Sequence, residues 1–309
     1  MTRIHKPRHL IIAGVNKGGT TTLFSVLGQH PEIGPSSVKE TRYFLPERYG
    51  KQRDASDVYQ RFFDMAENKR WLLESTPGYL YGGARLVQAV RQVTGGDSKI
   101  LVVLREPVSR AFSYFRNKKS MLELPRHTSF SDYIDRCLEL SLDELSREEN
   151  NLFFGIEGGK YADYLPAWIN EFGDDIRFIF FDDLVNNQLA VMIDICKWLD
   201  IDIVGIAELL KKEVHENRTT YTRYRFLQWL AVRTYRVLEV FFRRHYNLKR
   251  ILTSFYYFLN RAENDTEALD PHDKARLEEH YRPYNKELVL LLSGRQASLP
   301  GWLDQYSED

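Results

Sequence analysis

Short apolar runs, each broken by glycine or charge, alternate along this chain with longer stretches in which apolar residues recur every three or four positions. Leu10–Gly14 predicts the first buried strand, and from Thr21 to Gln29 the spacing turns helical. Trp71–Glu74 predicts a short strand, then a turn at STPGY and a helix from about Gly83 to Val93. KILVVLR, Lys99–Arg105, holds five consecutive apolar residues between charged ends, the pattern of a strand covered on both faces. Pro107 then stands in the first turn of a helix, where its missing N–H costs nothing. Tyr161–Phe172 predicts another helix and Ile176–Phe181 a further strand. This alternation predicts an α/β fold, a parallel β-sheet flanked by helices. Beyond Asp182 the strand signal ends and the C-terminal region reads helical. Its last helix spans about Pro271 to Leu292, before a glycine stop and a docking tryptophan, Trp302. Residues 1–309 read as one domain, with 218–265 as a helical cap within it.

That cap changes the picture most. Arg218–Arg261 carries ten Arg or Lys, twelve aromatics and a single acid, Glu239. Leu227, Leu230, Ala231, Leu238 and Phe241 recur at helical spacing, while Arg225, Arg233, Arg236 and Arg243 fall largely elsewhere on the wheel. Three readings stand open: a cap whose apolar face joins the core, its arginines solvated or paired with the acidic Asp132–Glu149 segment; a lid over an acceptor; and peripheral membrane contact through 218–261.

Over the whole chain of 309 residues, forty-three basic and forty-three acidic side chains cancel. A general nucleic-acid binder would be strongly basic, so nucleic acid is not expected as a partner. The two cysteines, Cys137 and Cys196, belong to no metal-ligand spacing and read as reduced, semi-buried thiols. The N-terminal apolar run of about six residues is shorter than a signal-peptide core. No stretch reaches the ~18 apolar residues that span a bilayer. The expectation is a soluble, cytoplasmic chain; oligomeric state is not legible.

Candidate chemistry begins in GVNKGGTTTL, Gly14–Leu23. Glycines between a strand and a helix let backbone approach an anion, and the N–H groups at the helix start carry partial positive charge. Lys17 adds a point charge, and Thr20, Thr21 and Thr22 add hydroxyl donors. A strand-to-helix turn with threonine caps would have the same composition. The lysine precedes the glycine pair, so the triphosphate loop GxxxxGK[ST] is not present. A second piece is REPVSRAFSYF, in which Arg105 ends the apolar strand and Ser113 follows eight residues later, two turns into the next helix. Both could converge on one anion at the sheet edge where ligands bind in open α/β folds. The plain reading of this helix leaves Arg110, Arg116, Lys118 and Lys119 solvated.

With these two motifs the chain resembles the 3′-phosphoadenosine 5′-phosphosulfate-dependent sulfotransferases, closer to the carbohydrate-type and bacterial branch than to the phenol and steroid enzymes. The likeness continues through GQHPEI, VKETRYF, ESTPGY, GKYADYLPAW and HYRPYNKELVLLL, covering most of Leu10–Ile203 and Asp270–Trp302. It implies a P-loop NTPase-like sulfotransferase fold and transfer of a sulfonate group to a hydroxyl or amine of a saccharide, glycolipid or small metabolite, with no metal. It also implies that Lys17 meets the leaving phosphate oxygen, that Gly18, Gly19 and Thr20–Thr22 cradle the 5′ phosphate, and that Arg105 and Ser113 take the 3′ phosphate. Glu40, in a KE step before the aromatic pair Tyr43-Phe44, is implied as the base, with Arg42 where that branch often has histidine. Glu74, His127 and His215 are weaker candidates for the base, and His30 reads as a structural contact. A closing loop over the 3′ phosphate should fall in His215–Arg225, making Arg218, Arg223 and Arg225 candidates. Trp71 or Tyr161 could stack near adenine, although most aromatics here read as core.

Two rivals remain: a P-loop kinase or NTPase, which needs a lysine after the glycines and a strand-borne aspartate, and a nucleotide-binding module without turnover.

Overall fold

The computed structural model describes residues 7–66, 68–212, 224–238, 241, 252, 267–295 and 298–307. Five strands form one wholly parallel sheet: β1 (Arg8–Gly14), β2 (Ile33–Pro35), β3 (Trp71–Ser75), β4 (Lys99–Leu104) and β5 (Ile176–Phe180). Their order is β2-β3-β1-β4-β5. Leu10 pairs with Leu73 on one side and Lys99 on the other, so β1 is central, and Leu104 pairs with Phe180.

Side-chain alternation divides each strand between two cores. Ile100, Val102 and Leu104 of β4 join Ile11, Ala13 and Phe178 on one face. There they meet α2 (Gly83–Thr94), α5 (Tyr161–Phe172) and α8 (Pro271–Leu292). Leu101 and Val103 join Leu10, Ile12 and Leu73 on the other face, beneath α1 (Thr20–Leu27) and α6 (Gln188–Leu199). Both faces are covered, which is why the strand sequences read as unbroken apolar runs. A third cluster knits α3 (Pro107–Ser120) to α4 (Phe130–Glu139) through Phe115, Phe130 and Tyr133.

The expected elements are present with ends shifted by one or two residues. Strand β2 is the exception: three residues are too few to show a period, and it exists because β3 supplies its partner, Ile33 opposite Trp71. No strand follows β5 among the described residues. Trp302 meets Phe180 edge-on at 6.4 Å, the docking expected of it. Both cysteines are free and buried; burial pushes the Cys137 thiol up to about 12 and Cys196 up to about 11.

Arg110 departs from the solvated reading. It is buried among Tyr81, Tyr114, Tyr161 and Tyr281 and donates to the Gly155 carbonyl. Lys118 pairs with Glu123 at 2.8 Å and Lys119 with Glu267 at 3.0 Å. One helical face thus serves packing rather than solvent.

Candidate active site

The carboxyl ends of β1, β3 and β4 meet at one edge of the sheet, and the loop after β1 is folded tightly there. Val15 N–H donates to Val103 O at 3.0 Å and Gly18 N–H to Val15 O at 3.0 Å. A Cβ on Gly18 would stand 2.8 Å from the Val103 carbonyl oxygen, so this glycine lets the loop press against β4. Gly19 has φ 87°, the left-handed region, and opens α1. Lys17 is also left-handed, with φ 68°, and Arg42 has φ 58°. For residues with a Cβ each costs about 1–2 kcal/mol, and both stand beside the candidate chemistry.

The start of α1 is left open. No side chain caps it and its first turn holds no acid; Leu23 N–H makes the first helical bond, to Gly19 O. The threonines therefore do not act as caps, and the N–H groups of Thr20, Thr21 and Thr22 have no intrahelical partner. Beside them sits Lys17, half-buried, with its pKa lowered to about 8 by burial and then by the charges of Arg105, Arg116 and Lys39. Arg105 donates to the Lys17 carbonyl at 3.0 Å and lies over the Phe181 ring at 4.4 Å. Tyr161 O–H holds the Arg105 carbonyl at 2.7 Å. Glu106 and Asp182 bear on Arg105, whereas the charges that bear on Lys17 are the cations Arg105, Arg116 and Lys39. Cations gathered beside free helix N–H groups are a site for a multiply charged anion.

The structure thus joins Lys17 to Arg105. Ser113 lies half-buried further along α3. The N-terminal amides of α3 are already occupied: Glu106 accepts from Val108 N–H at 2.8 Å and Ser109 N–H at 2.6 Å. An anion near Arg105 must use side chains there.

Glu40 reaches this edge through β2. Ser36 N–H donates to Leu73 O at 2.8 Å and Ser75 N–H to Lys39 O at 3.3 Å, so Lys39–Glu40 runs beside the end of β3. Lys39 Nζ pairs with Glu40 at 3.0 Å, and Arg42 Nε lies 3.9 Å from its other oxygen. Because Lys39 also bears on Lys17, carboxylate and lysine share one electrostatic neighbourhood.

Glu74, another candidate for the base, is committed to other partners. Glu74 is fully buried and accepts from Thr41 Oγ1, Tyr79 O–H at 2.6 Å, Tyr59 O–H at 2.9 Å and Thr76 Oγ1 at 3.1 Å. Burial pushes its pKa up and the four hydroxyl donors oppose the shift. His127 is exposed, and His30 bonds Asp202 O at 2.7 Å, the structural contact expected. Trp71 and Tyr161 are each 1% exposed, so neither is open to stack on adenine; Trp71 instead donates to Leu199 O at 3.1 Å. His215, Arg218 and Arg223 lie outside the described residues, as does the side chain of Arg225.

A family model described as "Sulfotransferase domain" matches residues 7–244. The chain belongs to the sulfotransferase family. This sulfotransferase is 26% identical over 201 residues to the bifunctional heparan sulfate N-deacetylase/N-sulfotransferase 1 of Caenorhabditis briggsae, covering 62% of this chain and 22% of that one. It is 23% identical over 192 residues to the heparan sulfate glucosamine 3-O-sulfotransferase 5 of Homo sapiens, covering 62% and 53%. The aligned parts span between a fifth and about half of these relatives. A solved sulfotransferase from Alicyclobacillus acidocaldarius shares the fold with a TM-score of 0.65 at 20% identity, over 97% of this chain and 99% of that one.

Sequence reasoning missed what Glu74 does. It ties Thr41, the residue after Glu40, to the end of β3, while Thr76 Oγ1 accepts from Arg42 N–H at 3.3 Å. Only the quartet of hydroxyl residues, scattered from Thr41 to Tyr79, could have signalled it. Glu74→Gln is expected to destabilise the sulfotransferase by about 1.5–3 kcal/mol, the worth of a charged hydrogen bond. If the donor proposed below is right, it should also lower kcat while adenosine 3′,5′-bisphosphate still binds with near wild-type affinity. Thermal denaturation, kcat and calorimetric Kd check this; an unchanged kcat would remove the link between Glu74 and the Glu40 segment.

Proposed function

We propose that this chain, as a single domain with its 218–265 cap, transfers a sulfonate group from 3′-phosphoadenosine 5′-phosphosulfate to a hydroxyl or amine of a saccharide-type acceptor, in the cytoplasm. The observation that carries the reading is the juxtaposition of the Lys17 ammonium, crowded by other cations, and Arg105 with the open N-terminus of α1. The donor is anionic at both ends of its ribose, so it fits this charge arrangement. Names of the relatives, heparan sulfate N- and 3-O-sulfotransferases, support a saccharide acceptor.

In this reading the N–H groups of Thr20–Thr22 and the Lys17 ammonium hold the 5′ end, and Arg105 with Ser113 holds the 3′ phosphate. Glu40 takes the acceptor proton. The bond from sulfur to the bridging phosphate oxygen breaks as the bond from sulfur to the acceptor oxygen or nitrogen forms. The leaving group is adenosine 3′,5′-bisphosphate, and its new negative charge develops where Lys17 can meet it.

A kinase or NTPase reading is weaker on two counts. β4 is followed directly by Arg105, where a metal-holding aspartate would be needed. Glu74, the one acid ending β3, has its oxygens committed to four hydroxyl donors. Thermal shift titration separates the readings: adenosine 3′,5′-bisphosphate should raise the melting temperature well above the effect of ATP at equal concentration. Equal or greater stabilisation by ATP overturns the proposal, and mass analysis of acceptors incubated with donor tests the transfer itself.

A further inference from the structure

Helix α7, Arg225–Val237, presents an apolar face to solvent. Leu227, Gln228, Ala231, Val232 and Tyr235 are half-buried, and Gln228 Nε2 donates to Ser120 O at 3.1 Å at the end of α3. This is the side turned to the protein. On the opposite side Phe226 is 69% exposed, Trp229 47%, Leu230 45% and Val237 77%. Their spacing, with Arg233 at the middle, follows one face of a helix. Phe226 and Trp229 rings stack at 6.1 Å, and the Arg233 guanidinium lies over Trp229 at 5.3 Å. The apolar stripe read from the sequence is divided: Leu227 and Ala231 are half-buried, while Leu230, Leu238 and Phe241 are exposed.

Charge selects what covers this face. Arg218–Arg261 holds ten basic residues and one acid, which leaves thirty-three basic and forty-two acidic residues in the rest of the chain. The neutral total conceals a basic segment on an acidic body. We propose that the exposed face of α7 docks on an anionic lipid bilayer, the helix lying in the interface with Phe226, Trp229, Leu230 and Val237 among the acyl chains. Arg233 on this face, within a stretch of sequence that holds ten basic residues and one acid, favours an anionic surface. Arg stacked on Trp suits the headgroup level, where an aromatic body is apolar on one side and wet on the other. A second copy related by a twofold axis would set the basic segment against itself. A nucleic acid would meet the charge but leave Leu230 and Val237 without an apolar partner. No helix among the described residues is long and apolar enough to cross a membrane, so the contact is interfacial.

The test is co-sedimentation of the full chain with vesicles of phosphatidylcholine, alone or mixed with phosphatidylglycerol. Binding is expected to the mixed vesicles only, and to weaken in high salt. Phe226→Ser/Trp229→Ser/Val237→Ser should lower partitioning by about tenfold or more. These residues lie outside the anion site, so the melting temperature and its rise with adenosine 3′,5′-bisphosphate should stay at wild-type values, which shows that the variant folds. Failure to bind mixed vesicles, or equal binding by the triple variant, overturns the proposal. So does a dimer in light scattering that the triple substitution dissolves, or displacement from vesicles by a single-stranded oligonucleotide at equimolar concentration. The outcome is independent of the donor, because the bisphosphate titration reads that site separately.

Discussion

Glu40→Gln is expected to lower kcat by about 100- to 10,000-fold, the range of a positioned general base. Its effect on adenosine 3′,5′-bisphosphate binding should have the opposite sign. Glu40 neutralises part of the charge of Lys39, at 3.0 Å, and Lys39 in turn bears on Lys17. Removing the carboxylate makes the anion site more positive, so the bisphosphate should bind as tightly as to wild type or slightly better. A purely structural role for Glu40 would weaken both. The defect in turnover should also shrink with an acceptor whose hydroxyl is already partly ionised, since less proton removal is then asked of the enzyme. Steady-state kinetics on two acceptors of different acidity, with calorimetry for the bisphosphate, makes the comparison. If the variant keeps most of its kcat, the base lies elsewhere.

Lys17→Met is the second large effect, and it should separate function from stability. Methionine keeps the length of the aliphatic stem and removes the charge. Loss of a donor aimed at developing negative charge costs roughly 100- to 1,000-fold in kcat. Yet the ligand-free protein should become more stable at neutral pH, because the ammonium is disfavoured by burial and by three neighbouring cations. The sign with pH follows from the lowered value. The folded chain binds this proton less tightly than the unfolded chain, so in wild type Lys17 is destabilising below about pH 8. That penalty fades as pH rises from about 8 toward the ordinary lysine value of about 10.4. An anion reverses the balance by favouring the ammonium. Bisphosphate affinity should therefore be nearly constant from about pH 7, where its phosphates are ionised, to about pH 8, and fall by about tenfold per pH unit above that while a proton is taken up on binding. In Lys17→Met that dependence disappears. Wild-type affinity that does not change between pH 7 and 9.5 would show that Lys17 is not in the anion site.

These predictions join residues of unequal legibility. Lys17 and the glycines after it were readable because a strand, a loop and a helix follow one another within a few residues. The same holds for Arg105 at the end of KILVVL. What the loop glycines are for was less legible. Gly18 makes room for the Val103 carbonyl, a contact with a strand far along the chain. Glu74 could be noticed as an acid at the sheet edge, but its burial beneath four hydroxyl groups depends on Thr41, Tyr59, Thr76 and Tyr79 folding over it. Trp71 and Tyr161 were drawn toward a nucleotide by residue type alone, and the fold commits both to the core.

By itself the sequence determined the parallel α/β architecture, the placement of a glycine loop with its lysine before the first helix, and the arginine that follows β4. Each is written in neighbouring residues, whose periodicity and φ preferences act over a turn of helix or a few residues of strand. Tertiary structure alone decided that Arg105 bonds the Lys17 carbonyl, that a three-residue edge strand leads Lys39–Glu40 beside the end of β3, and that α7 turns its aromatic face outward. Local spacing sets which residues share a face. Which way that face points depends on partners distant in the chain, and no local pattern records them.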